Sequence, residues 1–63
     1  MTVGEKLRTL RGEKTQKEVA NELKITKSAL AMYERNQRVP RDEVKVKLAK
    51  YYNQSVEDLF FNA

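Results

Sequence analysis

Residues 15–34, TQKEVANELKITKSALAMYE, read as two short helices joined by a tight turn. Thr15 and Glu18 form a capping box, in which a hydroxyl accepts from an orphan amide and a carboxylate three residues on reaches back. Val19, Ala20 and Leu23 follow at helical spacing and give the first helix one apolar face. Lys24 and Ile25 break the pattern. Thr26 is suited to N-cap a second helix, whose apolar residues are Ala29, Leu30 and Tyr33. Lys27, Ser28, Ala31 and Met32 fall on its other side. Small Ala20 and Ala29 let the two helices approach closely at an angle, with Ile25 plugging the gap between them.

Upstream, Thr2 and Glu5 make a second capping box, so a helix starts near Val3. Val3, Leu7 and Leu10 form its expected buried stripe, and Gly12 ends it as a left-handed residue. Downstream, Asn36 is a left-handed terminator. Pro40 holds Val39 extended ahead of the next helix. Asp42 is the expected cap of that helix, with Val44, Leu48, Ala49 and Tyr52 inside and Lys45, Lys47 and Lys50 outside. Asn53 is another terminator. Ser55 and Asp58 then open a short last helix carrying Val56, Leu59 and Phe60. The expectation is one all-α domain over residues 1–63, a compact five-helix bundle. Its core gathers around Leu7, Leu10, Val19, Ala20, Leu23, Ile25, Leu30, Tyr33, Leu48, Ala49, Tyr52, Val56 and Leu59.

Composition narrows the chemistry. A chain of 63 residues buries only roughly 60% of its unfolded surface, so caps and subunit contacts matter to its stability. It has no cysteine, which suits a cytoplasmic protein, and no histidine, which excludes histidine-based acid–base chemistry and the common zinc sites. No catalytic constellation or glycine-rich phosphate loop stands out, so no enzyme, no cofactor and no small-molecule ligand is expected. No stretch approaches a membrane span. The formal charge is +4, compatible with a polyanion partner. Its placement says more. Residues 26–41 carry four cations against Glu34, a net of +3, whereas Glu57 and Asp58 make the end acidic.

The pair of helices has the layout of a helix-turn-helix. Together with the following Arg35-Asn36-Gln37-Arg38-Val39-Pro40, it resembles bacterial and phage repressors of the lambda repressor/Cro type, also called the xenobiotic-response-element type. The resemblance runs from Val3 to Phe60. Two features depart from that pattern. The connection Gly12-Glu13-Lys14 is shorter than the family's, and Lys24 stands where the turn commonly carries glycine, at a cost on the order of 1 kcal/mol if its φ is positive.

The resemblance implies a sequence-specific regulator of double-stranded DNA. It places Lys27, Ser28, Ala31 and Met32 against base edges. Lysine donates to guanine, serine is permissive, and the last two offer only apolar contact. Met32 reads equally well as core filler. Gln16 and Thr26, with Asn36, Arg38 and Arg41 of the following loop, fall to the DNA backbone or minor groove. Glu34 pairs with an arginine of the first helix, Arg11 ahead of Arg8. A homodimer is expected, since two half-sites double the contacts. Tyr52, Val56, Phe60 and Phe61 are the candidate interface. A protein-interaction module on the same scaffold is the rival reading, and it would lack the steep salt dependence of DNA binding.

Overall fold

A computed structural model describes residues 1–61 of the chain. Four α-helices run in order, α1 (Val3–Arg11), α2 (Gln16–Leu23), α3 (Lys27–Glu34) and α4 (Asp42–Tyr51), followed by α5 (Glu57–Phe61), a short turn of π type. No strand occurs among the described residues. This is the all-α, five-helix arrangement expected from the capping and spacing.

The first three helices begin at threonine. Thr2 Oγ1 accepts from the Glu5 amide at 3.2 Å, and Thr15 Oγ1 accepts from the Glu18 amide at 3.1 Å. Both boxes are reciprocal, with the glutamate accepting from the threonine amide. The Thr2 amide and hydroxyl hold the Glu5 carboxyl below its usual range. Thr26 Oγ1 accepts from the Ala29 amide at 3.0 Å. Before α4, Arg41 occupies the cap position without a side-chain bond. Asp42 is therefore the first helical residue and not the cap. Its charge still favours the helix start through the macrodipole.

Helices α2, α3 and α4 all end in one device. Lys24, Asn36 and Asn53 have φ of 58°, 59° and 58°. The residue after each donates back five positions: Ile25 to Ala20 at 3.0 Å, Gln37 to Met32 at 2.9 Å and Gln54 to Ala49 at 2.8 Å. This is the Schellman motif, and at Lys24 it is made without glycine or asparagine. Gly12 differs from expectation. Its φ is 59° but its ψ is −128°. That is the first central position of a type II′ turn, closed by the Lys14 amide on Arg11 O at 3.3 Å, and only glycine takes it readily.

The core joins Leu7, Val19, Leu30, Leu48 and Leu59, each at most 1% exposed, with Ala20, Leu23, Tyr33 and Ala49. Ile25, Val44, Tyr52, Val56 and Phe60 pack against it, half-buried. Leu10 does not join them and is exposed. The reason is the face that α1 turns inward. At 100° per residue, Gly4 and Arg11 lie on one side of Leu7 and Leu10 on the other. The buried face runs Gly4–Leu7–Arg11, because the end of α3 packs there. Lys45 also departs from expectation, since its side chain is only 14% exposed and its ammonium lies over the Phe60 and Phe61 rings. Further out, Lys47 Nζ donates to Leu23 O and Lys6 Nζ to Asp58 O. Tyr51 bonds Glu22 and Lys14, tying α4 to α2 and to the short first connection.

Gly4 fixes how α1 crosses α3. A Cβ built there would lie 2.2 Å from the Glu34 carbonyl oxygen, inside any possible contact. The Gly4 amide donates to Asn36 Oδ1 at 2.9 Å, and Asn36 Nδ2 donates to Thr2 Oγ1 at 3.0 Å. The start of α1 is thus docked on the end of α3. Gly4→Ala should lower stability by about 1–3 kcal/mol, the usual cost of overpacking. It should appear as a reduced urea midpoint with an unchanged slope. A midpoint equal to wild type would mean that α1 does not sit on that carbonyl.

Candidate nucleic-acid interface

The site grows from one buried carboxylate. Glu34, at the end of α3, has a side chain only 1% exposed. Arg11, from the last turn of α1, meets it with two parallel bonds, Nε to Oε2 at 2.8 Å and Nη2 to Oε1 at 3.0 Å. Its remaining nitrogen, Nη1, donates to Lys14 O at 2.8 Å. A third bond reaches Glu34 from α2, where Gln16 Nε2 donates to Oε1 at 2.9 Å. The hydrogen bonds and charge of Glu34 hold the Arg11 guanidinium protonated above its ordinary range. Three helices are thereby locked in one orientation by a single carboxylate.

That lock sets the surface beside it. Arg8, Gln16, Lys27, Ser28, Ala31, Met32 and Arg35 line one open concavity. Three of these are cations and none is a carboxylate. Lys27 and Ser28 are exposed at the start of α3, with Ala31 and Met32 one turn on and half-buried. Met32 is thus partly packed and partly presented. Gln16 is the first residue of α2. Beside it, the amides of Gln16 and Lys17 have no partner among the described residues, because Thr15 takes only the Glu18 amide. Such amides and the positive helix end suit an anionic oxygen.

The other expected residues are placed differently. Thr26 spends its acceptor on the Ala29 amide, leaving its hydroxyl proton free to donate outward. Arg38 and Arg41 are exposed in the connection after α3. Asn36 lies in that connection too, where its side-chain oxygen accepts from Gly4 and its nitrogen gives one N–H to Thr2, leaving the second N–H without a partner among the described residues. Phe60 and Phe61 line a groove with Val3, Val39 and Pro40, whereas Tyr52 lines another with Leu10, Arg11 and Lys14. Val56 stays half-buried against the core. Of the four residues expected at an interface, Phe60 and Phe61 thus share a groove that Tyr52 and Val56 do not line.

Sequence reasoning missed Arg8 and Arg35 as members of the concavity. Arg35 follows the ion-pairing Glu34 directly, and Arg8 lies one helical turn before Arg11 on α1. Once Arg11 is paired with Glu34, spacing of three carries Arg8 along the same face toward α3. That was the usable signal. Among the described residues, no cluster of ligating side chains could hold a metal ion, and no helix is long and apolar enough to cross a membrane.

A family model described as helix-turn-helix matches residues 5–59 of the chain. A search of curated proteins finds no match.

Tyr52 lines a groove with Arg11 and lies near enough to the Arg11–Glu34 pair to feel both charges. Its hydroxyl is buried without a hydrogen-bond partner among the described residues. Burial, aided by the Glu34 charge, pushes the phenol up to about 12. An unfolded tyrosine loses its proton near pH 10. The buried site disfavours the phenolate, so the fold keeps its stability below about pH 10 and loses it as pH rises from there through about 12. Tyr52→Phe should flatten that alkaline loss. At neutral pH it should be at least as stable as wild type, by up to about 1 kcal/mol, since a buried unpaired hydroxyl is removed. Thermal melts from pH 7 to pH 12 measure both effects. Parallel curves for the two proteins would place the hydroxyl in water.

Proposed function

From the premise that the chain belongs to the Cro/C1-type helix-turn-helix family of DNA-binding transcription regulators, we propose that it is a small cytoplasmic repressor that binds an operator as a homodimer. The observation that carries this reading is the cationic concavity around the start of α3, free of carboxylates. A duplex seated there puts Lys27 and Ser28 at base edges in the major groove, with Ala31 and Met32 offering apolar contact to a thymine methyl. Gln16, with the free amides of α2, takes a phosphate on one flank, and Thr26 adds a donor. Arg8 and Arg35 meet phosphates at the rim. Arg38 and Arg41 follow the backbone, Arg38 being placed to enter a narrowed minor groove. Base-specific contacts are few in this set, so much of the affinity is electrostatic and salt-dependent.

The homodimer reading is supported by the groove at α5. Phe61 is 66% exposed and Val39 76% exposed, along one groove with Phe60 and Pro40. Two large apolar side chains left in water beside each other are suited to a two-fold copy of the same surface. Tyr52 does not line that groove.

Binding to duplexes carrying single-base changes, over a range of salt, tests the DNA reading. Lys27→Ala should lose about 1–3 kcal/mol and relax preference at one base pair per half-site, whereas Arg35→Ala should weaken every duplex alike and flatten the salt slope by roughly one unit. Salt-insensitive association, or none, would refute it. For the dimer, Phe61→Ser should leave the fold intact, raise the dimer Kd and reduce operator affinity without altering base preference. Sedimentation over a hundredfold concentration range reads this directly. Unchanged association would move the interface away from α5.

A further inference from the structure

We infer that Glu34 is a positioning residue for DNA binding: its carboxylate holds the Gln16 side-chain amide in place, with one N–H directed to Glu34 and the other left for a phosphate oxygen. The inference rests on the reading of the concavity as the DNA face and assigns that face a part which does not itself line it. Gln16 lines the concavity and Glu34 does not. The link between them is the 2.9 Å bond from Gln16 Nε2 to Glu34 Oε1.

Three physical points make the link directional. An ionised carboxylate only accepts, so the amide nitrogen of Gln16, not its oxygen, must face Glu34. The amide cannot flip without losing the bond. The second N–H then has no partner among the described residues and remains a donor at the edge of the concavity. Next, a bare carboxylate behind a phosphate site would repel the ligand. Here the bidentate Arg11 bonds, at 2.8 and 3.0 Å, meet that charge from α1, so the carboxylate orients without opposing. Finally, a surface glutamine ordinarily loses rotamer freedom when it grips a ligand. A side chain already fixed in the free protein avoids most of that loss, the general advantage of preorganisation. The buried carboxylate thus serves two bodies at once, the fold through Arg11 and the DNA face through Gln16.

The test is a double-mutant cycle in affinity for a duplex of mixed sequence, since a phosphate contact persists without an operator. The variants are Gln16→Met, Glu34→Gln and both together, each checked by circular dichroism for an intact fold at the temperature used. Gln16→Met should bind about ten- to a hundredfold more weakly, the loss of one hydrogen bond to a charged group. Glu34→Gln should bind more weakly too, and the double variant should be no weaker than the weaker single one. Losses that multiply would overturn the inference, because Glu34 would then act on binding independently of Gln16. Should Glu34→Gln fail to fold, relaxation of the Gln16 side-chain amide in the wild-type chain decides. Order matching the backbone before DNA is added supports the inference, and a mobile amide overturns it. Wild type without affinity for the duplex would refute the DNA face itself. Full affinity in Gln16→Met would remove the phosphate grip and this inference, leaving that face standing.

Discussion

Glu34 is the one buried charged residue among those described, and α1, α2 and α3 converge on it. Taking a carboxylate and a guanidinium out of water costs several kcal/mol, and only good geometry with further hydrogen bonds offsets it. Here the geometry is complete on both sides. Glu34 accepts three bonds, and every nitrogen of the Arg11 guanidinium donates. Apolar residues of the same volume would fill the space as well, but they would not fix direction. An ion pair fixes where α1 ends relative to α3. The close approach at Gly4 fixes where α1 begins, since the Glu34 carbonyl occupies the space of a side chain. One residue of α3 therefore locates α1 twice, through its side chain and through its backbone.

Local chemistry was the most legible layer. Thr2, Thr15 and Thr26 announce helix starts within three residues of themselves, and the structure has helices beginning beside each. Asn36 and Asn53 announce ends the same way. What the sequence could not disclose lies in relations between distant residues. Leu10 looks like core because it is apolar and well spaced, but the inward face of α1 is set by Glu34 of α3 and belongs to Gly4 and Arg11 instead. A glycine and an arginine on a buried face defeat any rule based on apolar periodicity. Asn36 was legible as a terminator by its backbone tendency and illegible as the partner of Gly4 and Thr2.

The concavity around the start of α3 shows the same division. The basic character of residues 26–41 and the exposed start of α3 follow from the string of residues alone. Arg8 joins that surface from α1, distant in sequence, and only the Arg11–Glu34 pairing reveals it. Lys45 illustrates the converse. Counted as one more outward lysine, it instead sets its ammonium over the chain's last aromatics. An ammonium is attracted to the face of an aromatic ring, so charge alone does not say which way a lysine turns.

The helix that would read DNA, α3, has only eight residues. An isolated helix of that length does not persist in water, because nucleation costs more than so few bonds return. Its cap at Thr26 and its stop at Asn36 define its ends without supplying the missing free energy. The reading head therefore exists only while the bundle is closed around it. Any local opening that frees α3 erases the surface, and any duplex bound there draws the population back to the closed form by mass action. For this chain, occupancy of DNA and integrity of the fold are two measures of one equilibrium.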